Sequence, residues 1–180
     1  MIFVLLFILA VCILLYIRSR NRFISKKGWN HYYDGQAFSA EDFYKKVAHG
    51  LNERKMPGIE MTRETFAQTH IASNRREYLR ITRNEFQYFI CMAAFGTGTF
   101  VSSWQCEKRI GIIGMIGTIP FVGKMFGLDR SDKSFYQLDT DSMYRAAVHA
   151  TVIEVLECIT EEKGIRGLTE LEKQLPALGK

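Results

Sequence analysis

The sequence has few of the residues and motifs that identify common enzymes and metal proteins. It contains only three prolines and four cysteines among 180 residues. Cys12, Cys91, Cys106 and Cys158 form no C-x-x-C pair, which argues against a zinc site and a disulfide framework. No G-x-x-x-x-G-K-[ST] motif is present, which excludes a phosphate-binding loop of that class. The sequence therefore predicts no metal and no cofactor.

Net charge is also missing from the body of the chain, although the formal total is +5. Residues 18–27 hold five bases and no acid, and the other 24 − 5 = 19 bases equal the 19 acids. The five bases are Arg18, Arg20, Arg22, Lys26 and Lys27. Because a nucleic-acid binder carries positive charge on its folded domain, this distribution excludes nucleic acid as an expected partner.

The first 17 residues carry no charge and are almost entirely apolar. A helix of this length spans about 26 Å, close to the ~30 Å hydrocarbon layer of a bilayer. No base precedes the apolar run and no A-x-A site follows it, which argues against a cleaved signal peptide. Residues 1–17 are therefore predicted to form a transmembrane anchor helix.

The charges after this run predict its orientation. Bases follow the span and none precede it, which places the C-terminal side in the cytoplasm. The prediction is a single-pass protein of the inner (plasma) membrane, with the lipid bilayer as one partner. A basic juxtamembrane linker (18–38) would connect the anchor to a cytoplasmic domain (39–180).

Helical patterns occur at three places in the predicted domain. Ser39 followed by Asp42 is typical of a capping box, and predicts a helix over 40–54. Acids and a hydroxyl at 139–141 predict the start of a long helix that continues to about Lys163. A short helix is expected over 167–174.

Between the first two helices the apolar period changes from 3.6 to 2. Four strands are predicted near residues 59–62, 79–82, 86–92 and 100–107. Because the links between them are short, the strands should form an antiparallel meander. Residues 134–138 are a candidate fifth strand. The predicted fold class is α+β, with the long C-terminal helix packed on the sheet.

Residues 110–128 are apolar and rich in glycine, and two interpretations of them remain open. The segment is too short to cross a bilayer and could be a buried hairpin or core helix. Alternatively, it is an apolar loop that meets the membrane face or a neighbouring subunit, because its glycines permit close backbone approach. The side chains that would make this contact are Ile112, Ile113, Met115, Ile116, Ile119 and Phe121.

Few polar residues are candidates for a ligand-binding or metal site. Arg76 and Arg80 should share one face of a strand and are a candidate contact for an anion or a lipid headgroup. His149 lacks a second ligand at i+3 or i+4, which favours a structural or interface role over a metal site. Asp139 and Asp141 are more typical of helix capping than of a metal pair.

These patterns favour binding over catalysis, because no acid–base pair, nucleophile pair or metal set assembles by spacing. The leading hypothesis is a membrane-anchored accessory or scaffold protein that binds a partner protein, or forms a homo-oligomer, at the membrane face. The alternative is a membrane-tethered domain that binds a small anionic ligand or a lipid headgroup. The sequence predicts no catalytic residues and therefore no enzyme.

Overall fold

The computed structural model describes residues 23–67, 75–84, 86–108 and 134–174, which form an α+β fold. The strands are β1 (Phe23–Tyr33), β2 (Glu60–Ala67), β3 (Arg75–Arg83), β4 (Phe86–Phe95) and β5 (Gly98–Lys108). The helices are α1 (Ala40–Glu53), α2 (Phe135–Glu162) and α3 (Glu170–Lys173). The predicted anchor (1–17) and the apolar segment (110–128) lie outside these ranges. Within them, no helix combines the length and apolar character needed to cross a bilayer.

The sheet has five antiparallel strands in the order β1-β5-β4-β3-β2. The predicted count of four is therefore corrected, because residues 23–33 of the expected linker form β1 along one edge. Trp29 and Tyr33 are buried and His31 is half-buried, whereas Asn30 and Tyr32 are exposed. Burial thus alternates from one residue to the next, as it does along a strand with one face in the core. The pattern is hard to recognise in the sequence because the residues are aromatic or turn-forming.

Capping sets where the helices begin. The Ser39 side chain accepts a hydrogen bond from the Asp42 N–H (3.2 Å), which confirms the predicted start of α1. The long helix starts earlier than expected, because Ser134 and Gln137 form a reciprocal capping box. Residues 135–138 therefore belong to α2, and the candidate fifth strand at 134–138 is wrong.

The C-terminal end of α2 is a Schellman motif. Gly164 adopts a positive φ of 63°, which glycine accepts without steric cost. Its N–H donates to the Glu161 carbonyl (3.0 Å), and the Ile165 N–H donates to the Thr160 carbonyl (2.8 Å). The chain then turns back, so that α3 packs beside α2.

Both long helices cover one face of the sheet, which we call the helix face. The largest fully buried apolar side chains come from α1, α2 and the central strands: Phe43, Tyr44, Val47, Leu51, Ile81, Ile90, Val101, Val148, Val152 and Leu156. Ion pairs between Lys46 and Glu162 (2.8 Å) and between Arg54 and Glu154 (2.6 Å) cross the outer side of the helix pair. The core therefore lies between two antiparallel helices and the strands below them.

The opposite face of the sheet carries its own aromatic cluster. Phe66, Tyr78 and Phe89 meet edge to face, with ring centroids 5.4 to 6.4 Å apart. Trp104 lies on the same face and packs directly over Gly28, where a Cβ atom would be 2.6 Å from the ring Cζ3 atom. This aromatic packing adds a side-chain contact between β1 and β5 to the backbone pairing of the two strands.

The ladder between β3 and β4 is interrupted beyond the pair Leu79 and Ile90. Two residues further along each strand, the phenol of Tyr44 stands between Glu77 and Met92. Its oxygen accepts from the Met92 N–H (3.0 Å) and donates to the Glu77 carbonyl (2.8 Å). A side chain from α1 thus replaces the missing hydrogen bonds between two strands.

Candidate functional site

One end of the sheet gathers the places where the chain leaves the described residues. β1 begins there with Phe23, and β5 ends there with Lys108, which pairs with Phe23. We call it the Phe23 end. The apolar run 1–17 and the apolar segment 110–128 both join the domain here, since the first precedes β1 and the second follows β5.

The start of α2 lies at the same end. Tyr144 donates a hydrogen bond to the Pro57 carbonyl, and the Arg83 guanidinium lies 3.9 Å from the centroid of the Tyr144 ring. Arg83 is the last residue of β3 and therefore marks the Phe23 end. Because α2 runs from here towards the opposite end, its first nine residues extend about 13 Å beyond the Tyr144 contact.

These nine residues, Phe135–Met143, include several exposed large apolar side chains. Phe135, Tyr136 and Met143 are 87%, 80% and 70% exposed. At 100° per residue they fall on the side of α2 opposite the buried Val148 and Val152. Large apolar side chains at such exposure, grouped on one side of a helix, are typical of an interaction surface.

The C-terminal part of the chain is fixed to β1 and α2 by two hydrogen bonds to backbone carbonyls of α3. The Trp29 Nε1–H donates to the Glu172 carbonyl (2.6 Å). The His149 Nε2 atom lies 2.6 Å from the Lys173 carbonyl oxygen. A carbonyl has no proton to give, so Nε2 carries the hydrogen, and in the neutral imidazole Nδ1 is an acceptor.

A second group of polar atoms lies beneath α2 on the helix face. Tyr88 is only 4% exposed, and its hydroxyl has no hydrogen-bond partner among the described residues. The same is true of the buried Arg145 Nη1 and His149 Nδ1 atoms. Arg145 and His149 are four residues apart in α2 and therefore share one side of the helix. Two further buried side-chain atoms, the Tyr33 hydroxyl and Gln87 Oε1, also lack a hydrogen-bond partner among the described residues.

Burial shifts the pKa of both Tyr88 and His149. Burial raises the pKa of Tyr88; the Asp141 charge adds to this rise and the Arg145 charge opposes it. Burial likewise lowers the pKa of His149, and the Arg145 charge lowers it further, against the bond to Lys173. His149 is therefore neutral near pH 7.

Arg76 and Arg80 share one face of β3, as their spacing predicts, and this is the face opposite the helices. Arg80 forms an ion pair with Glu64 and also donates to the Thr82 hydroxyl (2.9 Å). An anion at Arg80 would have to displace Glu64. Arg76 is exposed and lies near Tyr78, whose pKa its charge lowers against the effect of burial. The anion-contact hypothesis for these two arginines stays a prediction.

The three cysteines among the described residues all have raised pKa values. Burial raises the pKa of Cys106 to about 11 and also raises the pKa of Cys91. A hydrogen bond to Glu162 raises the pKa of Cys158. All three thiols are therefore protonated near pH 7 and are poor nucleophiles. Within the described ranges, no group of three or more His, Cys, Asp or Glu side chains could hold a metal ion.

The candidate residues predicted from the sequence differ from the buried polar residues that the structure describes. The predicted contacts Ile112, Ile113, Met115, Ile116, Ile119 and Phe121 lie outside the described residues. Tyr88 and Arg145 were not recognised as a pair because one belongs to a strand and the other to a distant helix. The one available signal was the i, i+4 spacing of Arg145 and His149 within an otherwise apolar stripe.

Comparisons with protein-family models, with curated proteins and with solved structures found no match to this chain.

Proposed function

We propose that the chain is a membrane-anchored accessory or scaffold protein that binds another protein at the membrane face. Residues 1–17 would anchor it in the inner (plasma) membrane, and the folded domain would lie on the cytoplasmic side. The partner would present an apolar groove that accepts the exposed side of α2. In this proposal the domain acts by binding rather than by catalysis.

The proposal rests on one observation: the start of β1, the end of β5 and the start of α2 all lie at the Phe23 end. A chain anchored through residues 1–17 would hold this end nearest the bilayer, because β1 begins only six residues after the apolar run ends. The bases of residues 18–27 would lie against anionic lipid, each contributing about 1 kcal/mol near the surface. The apolar start of α2 would then be presented at the membrane face.

The arrangement of Phe135, Tyr136 and Met143 favours a protein groove as their binding site. Phe135 and Met143 lie about two turns apart on one side of α2, which is the spacing that amphipathic helices use in grooves. Aromatic and methionine side chains are also enriched at the centres of protein interfaces. The exposed Asp139 lies between Phe135 and Met143 on this side of α2, so a basic group in the groove would complement it.

The test is photocrosslinking of the full chain in its native membrane. Tyr136 is replaced by benzoylphenylalanine, and we expect a discrete adduct with one other protein. The matched control carries the same residue at Phe95, which is 61% exposed but lies in the turn region at the opposite end of the sheet. The control should give no such adduct.

A double variant, Phe135→Ser with Met143→Ser, should reduce the adduct at position 136 without loss of folding, because both side chains are exposed. An adduct with lipid alone, or with a second copy of this chain alone, would contradict the proposed role.

A further inference from the structure

We propose that α3 is a latch that acid opens, with His149 as the contact that responds to protons. The closed latch is bonded to Trp29 of β1 and to His149 in the middle of α2. Its release would expose the Trp29 ring without unfolding the domain. The inference concerns a different surface from the exposed start of α2 and does not depend on the proposed function.

The latch is a short helix that depends on contacts with other elements. α3 has four residues and none of them is buried, so it has no core of its own. Two hydrogen bonds hold its backbone, one from Trp29 Nε1–H to the Glu172 carbonyl (2.6 Å) and one from His149 Nε2–H to the Lys173 carbonyl (2.6 Å). Because a helix of one turn is unstable alone, loss of either bond should weaken its attachment.

The two bonds start from neighbouring aromatic rings. The Trp29 ring meets the His149 ring edge to face, with centroids 5.6 Å apart, and is stacked with His31 at 6.3 Å. Their acceptors, the carbonyls of Glu172 and Lys173, belong to consecutive residues. A change at His149 therefore acts on the same turn of α3 that Trp29 holds.

His149 is suited to this attachment only in its neutral form. Its Nε2–H is used by the Lys173 carbonyl, and its Nδ1 atom is buried without a partner among the described residues. Protonation would place a hydrogen on Nδ1, and a buried donor without an acceptor is unfavourable. Once α3 has left, water can solvate both N–H groups. Acid therefore favours the released state.

The charges around His149 leave it harder to protonate while the latch is closed. Burial lowers the pKa of His149 and the Arg145 charge lowers it further, which outweighs the opposite effect of the bond to Lys173. The Lys173 ammonium is itself ion-paired with Glu157 of α2 (2.6 Å) and Glu170 of α3 (2.7 Å). The attachment is thus favoured above pH 6.5 and weakens as the pH falls through the lowered pKa.

The neighbouring titratable groups do not oppose this response. Burial also lowers the pKa of His31, where the charge of Glu172 raises it and that of Arg166 lowers it. Hydrogen bonds from the Thr169 N–H and hydroxyl lower the pKa of Glu172 to about 2. Glu172 therefore stays charged throughout the pH range in which the histidines gain protons.

Hydrogen exchange of the Trp29 indole N–H can follow the latch. The chain has two tryptophans, so this group gives one of two indole signals in an NMR spectrum of the full chain in mild detergent. Its protection is the exchange rate of the unfolded chain divided by that of the folded protein at the same pH. We expect this protection to fall about three- to tenfold between pH 7.5 and 5.5, because an imidazole with a released pKa near 6.5 limits the effect to about tenfold. At pH 7.5 it should be well below the protection of the Ile90 amide, which lies in the sheet ladder.

Three histidine variants separate the latch from general effects of acid. His149→Gln keeps a side-chain N–H donor that takes up no proton, and it should retain high Trp29 protection at both pH values. His149→Ala removes the donor and should lower the protection at both. His49→Gln is the matched control, because His49 is exposed on α1, and it should respond to pH as the wild type does.

Three results would overturn the proposal. Equal protection of the Trp29 indole and the Ile90 amide at pH 7.5 would mean that α3 leaves only when the domain unfolds. An undiminished pH response in His149→Gln would assign the effect to another group. Higher protection at pH 5.5 would mean that protonated His149 binds the Trp29 ring and closes the latch. If neither His149 variant folds, the wild-type His149 ring signal must titrate over the pH range in which Trp29 protection falls.

Discussion

Removing the Tyr44 hydroxyl should destabilise the domain by breaking the bridge between β3 and β4. Tyr44→Phe leaves the ring in place but deprives the buried Met92 N–H and the Glu77 carbonyl of their partner. A buried group left unpaired costs about 1–3 kcal/mol, and Glu77 lies where water can reach it. We therefore expect a loss of about 2 kcal/mol, mostly from Met92.

Urea denaturation of the purified full chain in mild detergent can measure this loss. The midpoint should fall while the dependence on urea concentration stays constant, because the surface exposed on unfolding barely changes. Thermal unfolding should show a decrease of about 4–8 °C, given ~2–4 °C per kcal/mol for a chain of this size. Amide exchange at Met92 should accelerate more than at Ile90, which lies within the intact ladder.

Tyr32→Phe is the matched control. The Tyr32 hydroxyl also donates to a backbone carbonyl, that of Phe95 (3.1 Å), but in an exposed setting. Its removal should change stability by less than about 0.5 kcal/mol. If Tyr44→Phe were as mild as Tyr32→Phe, the phenol would not be satisfying the interrupted ladder, and this reasoning would be refuted.

Two further predictions concern packing and pH. Gly28→Ala should destabilise the protein by about 1–3 kcal/mol, because the new methyl group would collide with Trp104, whereas Gly167→Ala meets open space and should be nearly neutral in the same unfolding assay. Burial lowers the pKa of His149 and His31 below 6.5, so the unfolded chain takes up protons that the folded protein refuses. The stability present above pH 6.5 should therefore fall as the pH drops through the lowered pKa values. His149→Gln should make this decline less steep. An unchanged slope of the urea midpoint against pH in this variant would contradict the prediction.

Local signals in the sequence were sufficient for much of the fold. The short link between β3 and β4 predicted an antiparallel pair, and Asn84 in this link adopts a positive φ of 50°, which asparagine tolerates. The cap at Ser39 and the alternation along β4 also predicted the correct structure. Each of these features depends on residues within about four positions of one another, so a single sequence contains the whole signal.

The missed features depend on contacts between distant residues. β1 pairs with β5 across more than 60 positions, and no local pattern distinguishes such an edge strand from an aromatic linker. The packing of α2 on the sheet is also long-range, because Val148, Val152 and Leu156 belong to one buried cluster with residues of the central strands. Spacing within α2 could not identify these partners.

The start of α2 shows how the interactions that stabilise a helix determine which of its side chains remain available for binding. The buried stripe of this helix begins only near Tyr144, and the acids and hydroxyl at 139–141 predicted a start there, four residues after the observed one. The earlier turns are held by the Ser134 and Gln137 cap, which contributes about 1 kcal/mol, and by continuity with the packed half of the helix. Because burial does not stabilise these turns, their apolar side chains are left free to bind a second surface, as the proposed function requires.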